Sequence, residues 1–125
     1  MKNFLQSIGF EPIILHEQND KGLTIIEKFE YYASKCVFAF ILLTPDDPIH
    51  DSLGADEIYW RARQNVILEL GWFMAKLGRE RVAVLHMGKV DIPSDMIGVI
   101  YIPFRESILE GSEPIRQRLK GVNLI

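Results

Sequence analysis

A single cysteine, Cys36, stands in the 125 residues of this chain. That count excludes an internal disulfide and any zinc site built from several thiolates. Cys36 sits in an apolar run, where the expectation is a small buried side chain rather than a reactive thiol. Long hydrophobic runs are also missing. The longest, "CVFAFILL" at 36–43, is far short of the ~20 residues that a membrane helix needs. The opening "MKNFLQSIGF" interrupts its apolar residues with Asn, Gln and Ser, which does not suit a signal peptide. Positive charge is not in excess: the net charge is −3, so no basic footprint recommends nucleic acid or an anionic membrane as a partner. Glycine-rich phosphate loops, GxxxxGK and GxSxG are absent. His16, His50 and His86 are scattered singly with no ligand spacing, so no metal site is expected. What remains is an ordinary globular balance, 48% hydrophobic and 25% charged. It reads as one soluble, cytoplasmic domain spanning 1–125.

The pattern along the chain alternates between short strands and helices. Residues 2–8 read as a helix end closed by Gly9. "EPIILHE" (11–17) reads as a strand, and "QNDKG" as loop chemistry. Thr24 and Glu27 have capping-box spacing and open a helix through "TIIEKFEYYASK". "CVFAFILL" is a strand with almost no polar alternation, so cover on both faces is expected, as in a parallel sheet. A polar loop, "TPDDPIHDSLGADE", leads to a helix from about Tyr59 to Leu77 that stops at Gly78. "RVAVLHM" is a strand, "GKVDIPSDM" a loop, "IGVIYIPF" a strand and "EPIRQRLKG" a final helix. Strands alternating with helices predict an α/β fold with a parallel sheet and helices on both faces. Only four strands are counted, and a helix comes first. Doubly wound domains usually carry five or more, so either the first strand is missing or this is a four-stranded minimal version.

In such sheets ligands bind beyond the carboxyl ends of the strands, which directs attention to "TPDDPIHDSLGADEIYWRARQN". It is long for a strand-to-helix connection, where roughly 2–6 residues are usual. The helix that follows holds Glu69 among Val, Ile, Leu, Trp and Phe. At about 100° per residue, Val66, Leu70, Phe73 and Leu77 form the core stripe, and Glu69 lies roughly 70° from its centre, on the side of Asn65 and Trp72. Spacing alone leaves two readings open: a glutamate leaning to water, or a partly desolvated carboxylate at a cleft. Arg61 and Arg63 stand near the expected helix start, where cations oppose the macrodipole. Holding anionic ligand groups is one role for them, and solvated surface charge is the other. Thr44, Asp46 and Asp47 end the central strand as turn formers or as ligand contacts. A phospho-acceptor receiver domain shares the topology. It needs an acidic pair after the first strand and a lysine after the last, where this chain reads "IPFRES".

The segments "GFEPIILHEQ…KGLTIIEKFE", "VFAFILLTPDD", "RARQNVILELGWFMAKLGR" and "IPSDMIGVIYI" together resemble the bacterial TIR-like family of predicted nucleotide-binding proteins. Members serve as effector domains of cyclic-nucleotide-activated anti-phage systems, including fusions to STING-type sensors. The resemblance runs from about Gly9 to Ile102. It implies a flavodoxin-like TIR fold and cleavage of NAD⁺, as substrate and not cofactor, at the nicotinamide–ribose bond. It places the catalytic glutamate on Glu69. Arg61, Arg63, Asn65, Asp46, Thr44 and Trp72 follow as substrate-binding candidates. Residues Glu17, Gln18, Asn19, Asp20, Lys21 and Gly22 correspond to a mobile loop that gates the pocket and mediates head-to-tail self-association. Family members open with a strand reading roughly "VFIVHG" and a full helix. Here the chain starts near the end of that helix, which puts the absent strand between 11–17 and 36–43.

Three functions are therefore carried forward. The first is an NAD⁺ glycohydrolase that works on assembly in anti-phage defence, triggered by a cyclic-nucleotide sensor outside this chain. The second is a nucleotide-binding or TIR–TIR assembly module without turnover. The third is an enzyme like the nucleoside deoxyribosyltransferases, which also use a glutamate on a similar fold.

Overall fold

The structure, a computed structural model, describes residues 1–15, 18, 21–43, 47–50, 58–61, 64–87, 90–91 and 99–125. Two compact units are distinguished, Met1–Val37 and Phe38–Ile125.

The first unit holds α1 (Lys2–Ser7) and α2 (Ile25–Ala33). Phe4 and Leu5 of α1 are buried. Gly9 follows the helix at φ 96, a left-handed conformation that glycine enters without steric cost. Thr24 caps α2 as its spacing with Glu27 predicts: the Glu27 N–H donates to Thr24 Oγ1 at 3.2 Å, and the Thr24 N–H donates to Glu27 Oε1 at 3.1 Å. Helix α2 buries Phe29, Tyr32 and Ala33. At its end the Cys36 thiol donates to the Tyr32 carbonyl at 3.2 Å. Cys36 is half-buried, and burial pushes that thiol's pKa up. "EPIILHE" does not form the expected strand over its described part. Residues 11–14 carry no regular structure and Leu15 enters a 3-10 turn. A strand is stable only in a ladder, and the described residues of the first unit contain no strand.

The second unit is the sheet. Strands β1 (Ala39–Leu43), β4 (Val82–Met87) and β6 (Ile100–Phe104) run parallel in the order β1-β4-β6. The register pairs Leu42 with Leu85 and Leu85 with Ile102, so these three share a face. Ile41, Val84 and Tyr101 share the other. Helix α3 (Gln64–Leu77) lies against β1 and β4. It covers the Ile41–Leu43 side, because Ile41 and Leu43 are buried while Leu42 between them is 42% exposed. The opposite face is covered at β4 and β6 by the 3-10 turn Ile108–Gly111, which leads into α4 (Ser112–Gly121). Helices thus lie on both faces of a parallel sheet, the α/β, flavodoxin-like architecture that was expected. The expectation that the whole first strand is covered on both faces fails at Leu42. Strand β1 pairs with β4 on one edge and with no strand on the other among the described residues.

The long "TPDDPIHDSLGADEIYWRARQN" connection contains structure that its composition hides. Strands β2 (Asp47–His50) and β3 (Ile58–Arg61) pair antiparallel, and β3 pairs parallel with β5 (Val90–Asp91) in a second sheet. The helix expected from Tyr59 therefore begins at Gln64 instead. "IYWR" is β-branched and aromatic, a composition that favours a strand once a partner is present. At its other end α3 stops at Leu77, as predicted, with Gly78 at φ 87. No helix among the described residues is long and apolar enough to cross a membrane.

Candidate functional site

Strand β1 ends at Leu43, and α3 ends beside the turn that starts β4. The helix therefore runs back along the sheet, with its first turns at the carboxyl ends of the strands. Glu69 lies five residues beyond Gln64, about 8 Å along the axis at a rise of ~1.5 Å per residue. It is thus on the half of α3 nearest the strand ends.

The side chain of Glu69 keeps only 9% of its exposure, so it does not lean out to water. Among the described residues it is the charged side chain that falls in the buried set. Its neighbours along the helix show how the arc is turned. Leu70 and Phe73 are buried, Val66 and Leu77 are half-buried, and Leu68 is exposed. The buried arc is shifted toward Glu69 relative to the apolar stripe read from spacing. A carboxylate in that position is costly to desolvate unless its surroundings compensate it, and Glu69 is not without a partner. Trp72 is half-buried and meets Phe73 edge to face, with ring centroids 5.0 Å apart, an arrangement typical of aromatic packing.

The other candidates are distributed as follows. Asn65 is in the first turn of α3 by its backbone. Arg61 ends β3, three residues before α3 begins at Gln64. The register there sets Arg61 opposite Asp47 of β2 on one side and Asp91 of β5 on the other. An arginine position is thus flanked by two aspartate positions in one row of the small sheet. Thr44, Asp46 and Arg63 lie outside the described residues, as do Glu17, Asn19 and Asp20. Gln18, Lys21 and Gly22 are described and belong to the first unit. The Gln18 N–H and side-chain amide donate to the carbonyls of Leu15 and Ile14 at 3.1 and 3.2 Å. Lys21 and Gly22 both have left-handed backbones, at φ 54 and φ 71.

Sequence reasoning passed over His86 as one of three scattered histidines. In the register it pairs with Leu43 and Pro103, on the face that α3 covers and near the carboxyl end of β4. His86 and Tyr101 are both half-buried, with ring centroids 6.2 Å apart in an edge-to-face arrangement. Burial raises the Tyr101 pKa. Alternation along "RVAVLHM" was the available signal, since it puts His86 on the side of Val82 and Val84.

Known proteins bear on this geometry. Residues 1–106 match the family model described as the TIR domain of the CAP12/Pycsar effector proteins. The chain is 48% identical over 103 residues to the uncharacterized protein YuaY of Escherichia coli (strain K12), covering 82% of this chain and 34% of that protein. It is 35% identical over 119 residues to protein tirC of Dictyostelium discoideum, covering 88% of this chain and 59% of that protein. The Pycsar effector protein PaPycTIR of Pseudomonas aeruginosa is 34% identical over 91 residues, with 71% of this chain and 29% of the effector covered. The chain thus spans between about a third and three fifths of the length of these first two curated relatives. With 106 of its 125 residues matched by one family model, the chain belongs to the TIR domain family of the CAP12/Pycsar effectors.

Proposed function

We propose that this TIR domain is an effector in anti-phage defence that cleaves the nicotinamide–ribose bond of NAD⁺, with Glu69 as its catalytic carboxylate. The observation that carries the reading is a buried glutamate on the half of α3 nearest the carboxyl ends of the parallel strands, inside "RARQNVILELGWF". The chemistry suits one carboxylate. The leaving group is a pyridinium that departs as neutral nicotinamide and needs no proton. The C–N bond breaks with its electron pair going to nicotinamide, and positive charge grows on the ribose. A carboxylate held in a poorly solvated position stabilises that charge more than one in water does. Water then adds to the anomeric carbon and releases a proton, giving ADP-ribose. Arg61, Arg63, Asn65, Asp46, Thr44 and Trp72 are the proposed substrate contacts, and residues 17–22 the gate. Self-association and a cyclic-nucleotide signal from another domain or protein complete the proposal, at a cytoplasmic site of action.

The test is nicotinamide release from NAD⁺ by concentrated protein beside Glu69→Gln, with circular dichroism on both. Release that vanishes in a folded variant supports the reading, and no release from folded, self-associated wild type overturns it. A second reading, an assembly module without turnover, draws on the strandless edge of β1 among the described residues. That module has no turnover for Glu69→Gln to remove.

A further inference from the structure

Hydrolysis of NAD⁺ releases one proton that needs a destination. The water that adds to the anomeric carbon must shed it. A carboxylate that stabilises the ribose cation surrenders its own charge if it takes that proton, so a second basic group separates the two roles. His86 is placed to be that group. Strand β4 is buried from Val82 to Leu85 and emerges only at His86 and Met87. In the register His86 lies between Leu43 of β1 and Pro103 of β6, on the face that α3 covers. Helix α3 rests on β1 and β4. Over β6 the same face is open, with Tyr101 half-buried and Pro103 exposed, while Ile102 and Phe104 on the other face are buried. His86 thus stands at the foot of the helix, on a step that opens along β6.

Glu69 stands at the same level of that layer. It comes eight residues before Leu77, the end of α3, which is ~12 Å back along the helix at ~1.5 Å per residue. His86 comes four residues after Val82, the start of β4, which is ~13 Å along the strand at ~3.3 Å per residue. The turn of Gly78 and Arg79–Arg81 joins those two ends. A buried carboxylate on the helix and an imidazole on the face it covers are therefore brought level, near the carboxyl ends of the strands. His86 Nδ1 lies 3.5 Å from the Met87 carbonyl oxygen. That oxygen can only accept, so the contact calls for hydrogen on Nδ1 and leaves the lone pair on Nε2. The Tyr101 ring meets the imidazole edge to face at 6.2 Å, and burial raises the pKa of its phenol, which keeps it neutral.

We propose that His86 is a second catalytic residue, the base that takes the proton of the attacking water. The assignment rests on the glycohydrolase reading and completes its proton balance. Nicotinamide leaves with the electron pair of the C–N bond. An O–H bond of water then breaks as its oxygen bonds to the anomeric carbon, and the proton passes to Nε2. The imidazolium returns it to solvent, and Glu69 remains a carboxylate throughout.

A nucleophile that carries no proton to lose separates the two residues. Nicotinamide is one: its ring nitrogen attacks the anomeric carbon directly, in the reverse of the cleavage step, and needs no base. Isotopically labelled nicotinamide is supplied with NAD⁺ to the full chain. Mass spectrometry then reads ADP-ribose formed by hydrolysis and label entering NAD⁺ by exchange. His86→Asn and His86→Gln are each expected to slow hydrolysis about a hundredfold, the usual scale for loss of a general base. Exchange is expected to stay within about threefold of wild type, so the ratio of exchange to hydrolysis rises. Glu69→Gln is expected to lose both reactions, and Leu42→Ser, on the opposite face, to change neither. Unfolded chains carry out neither reaction, so the ratio still decides for a variant that folds poorly. Equal loss of the two reactions, or an unmoved ratio in both His86 variants, overturns the role of His86 and leaves the glycohydrolase reading standing. Neither reaction from folded, self-associated wild type overturns that reading and the His86 assignment with it.

Discussion

Gly111 lies against Ile102 so closely that a Cβ built on it would stand 2.6 Å from Ile102 Cγ2 and 3.6 Å from Leu85 Cδ2. Both of those side chains are fully buried, so neither has room to retreat. Gly111→Ala is therefore expected to destabilise the domain by about 1–3 kcal/mol through overpacking. Urea unfolding followed by circular dichroism measures it. A midpoint unchanged by the alanine would mean that the turn before α4 slides freely over the sheet.

Adjacent positions on β1 should respond in opposite ways. Leu43 is 0% exposed and Leu42 is 42% exposed. Leu43→Ala is expected to cost about 2–5 kcal/mol. Leu42→Ser should stay within about 0.5 kcal/mol, as surface substitutions usually do. The same unfolding experiment on the two variants checks the assignment of faces, and equal costs would contradict it.

A catalytic and a structural Glu69 are separated by putting an apolar residue there. A residue kept for chemistry is often replaceable at no cost in stability, because active sites trade stability for function. Glu69→Met is expected to keep or raise the melting temperature while nicotinamide release falls by roughly a thousandfold. A melting temperature lowered by many degrees would instead assign the glutamate to the architecture of α3.

Two of the described carboxylates should contribute to the acid limb of stability. Backbone N–H donation holds Glu27 at Thr24, and Glu110 at Ser107 and Glu106, below the ordinary glutamate range. Glu110 receives those N–H groups at 2.8 and 2.9 Å. With pKa values lower in the folded state, the unfolded chain binds more protons in that range. The stabilisation is complete above about pH 4.3, the ordinary glutamate value, and is lost as pH falls through the lower folded values. The melting-temperature gap between wild type and Glu110→Gln is expected to be full at neutral pH and to close in strong acid. A gap that does not vary with pH would rule out the carboxylate as its source.

The parts legible in the sequence are those with local causes. The Thr24–Glu27 capping box, the stop at Gly78 and the strands β4 and β6 each rest on a few neighbouring residues, and each forms where its pattern predicts. The second sheet was hidden because its cause is pairing between distant segments. "DPIH" looks like a loop, "IYWR" like the front of a helix, and only the register of Asp47, Arg61 and Asp91 makes them strands. "EPIILHE" is the converse, with strand composition and no ladder among the described residues. For the candidate site, motif resemblance marked Glu69, and periodicity left its exposure undecided because 70° from the stripe is a border. The buried arc of α3 settles that exposure. His86 and Tyr101 come together only through strand register, which no spacing within one segment encodes.

The family-model match ends at residue 106, yet Gly111, Ile115 and Leu119 beyond it are buried. Arg118 donates to the Arg79 carbonyl at 3.2 Å, in the turn where α3 hands the chain to β4. The matched segment and mechanical integrity therefore have different borders here. Anyone excising this module at the edge of its recognisable sequence would cut away the buttress of the turn behind the Glu69 helix, and a loss of activity in that fragment would speak of carpentry, not of chemistry.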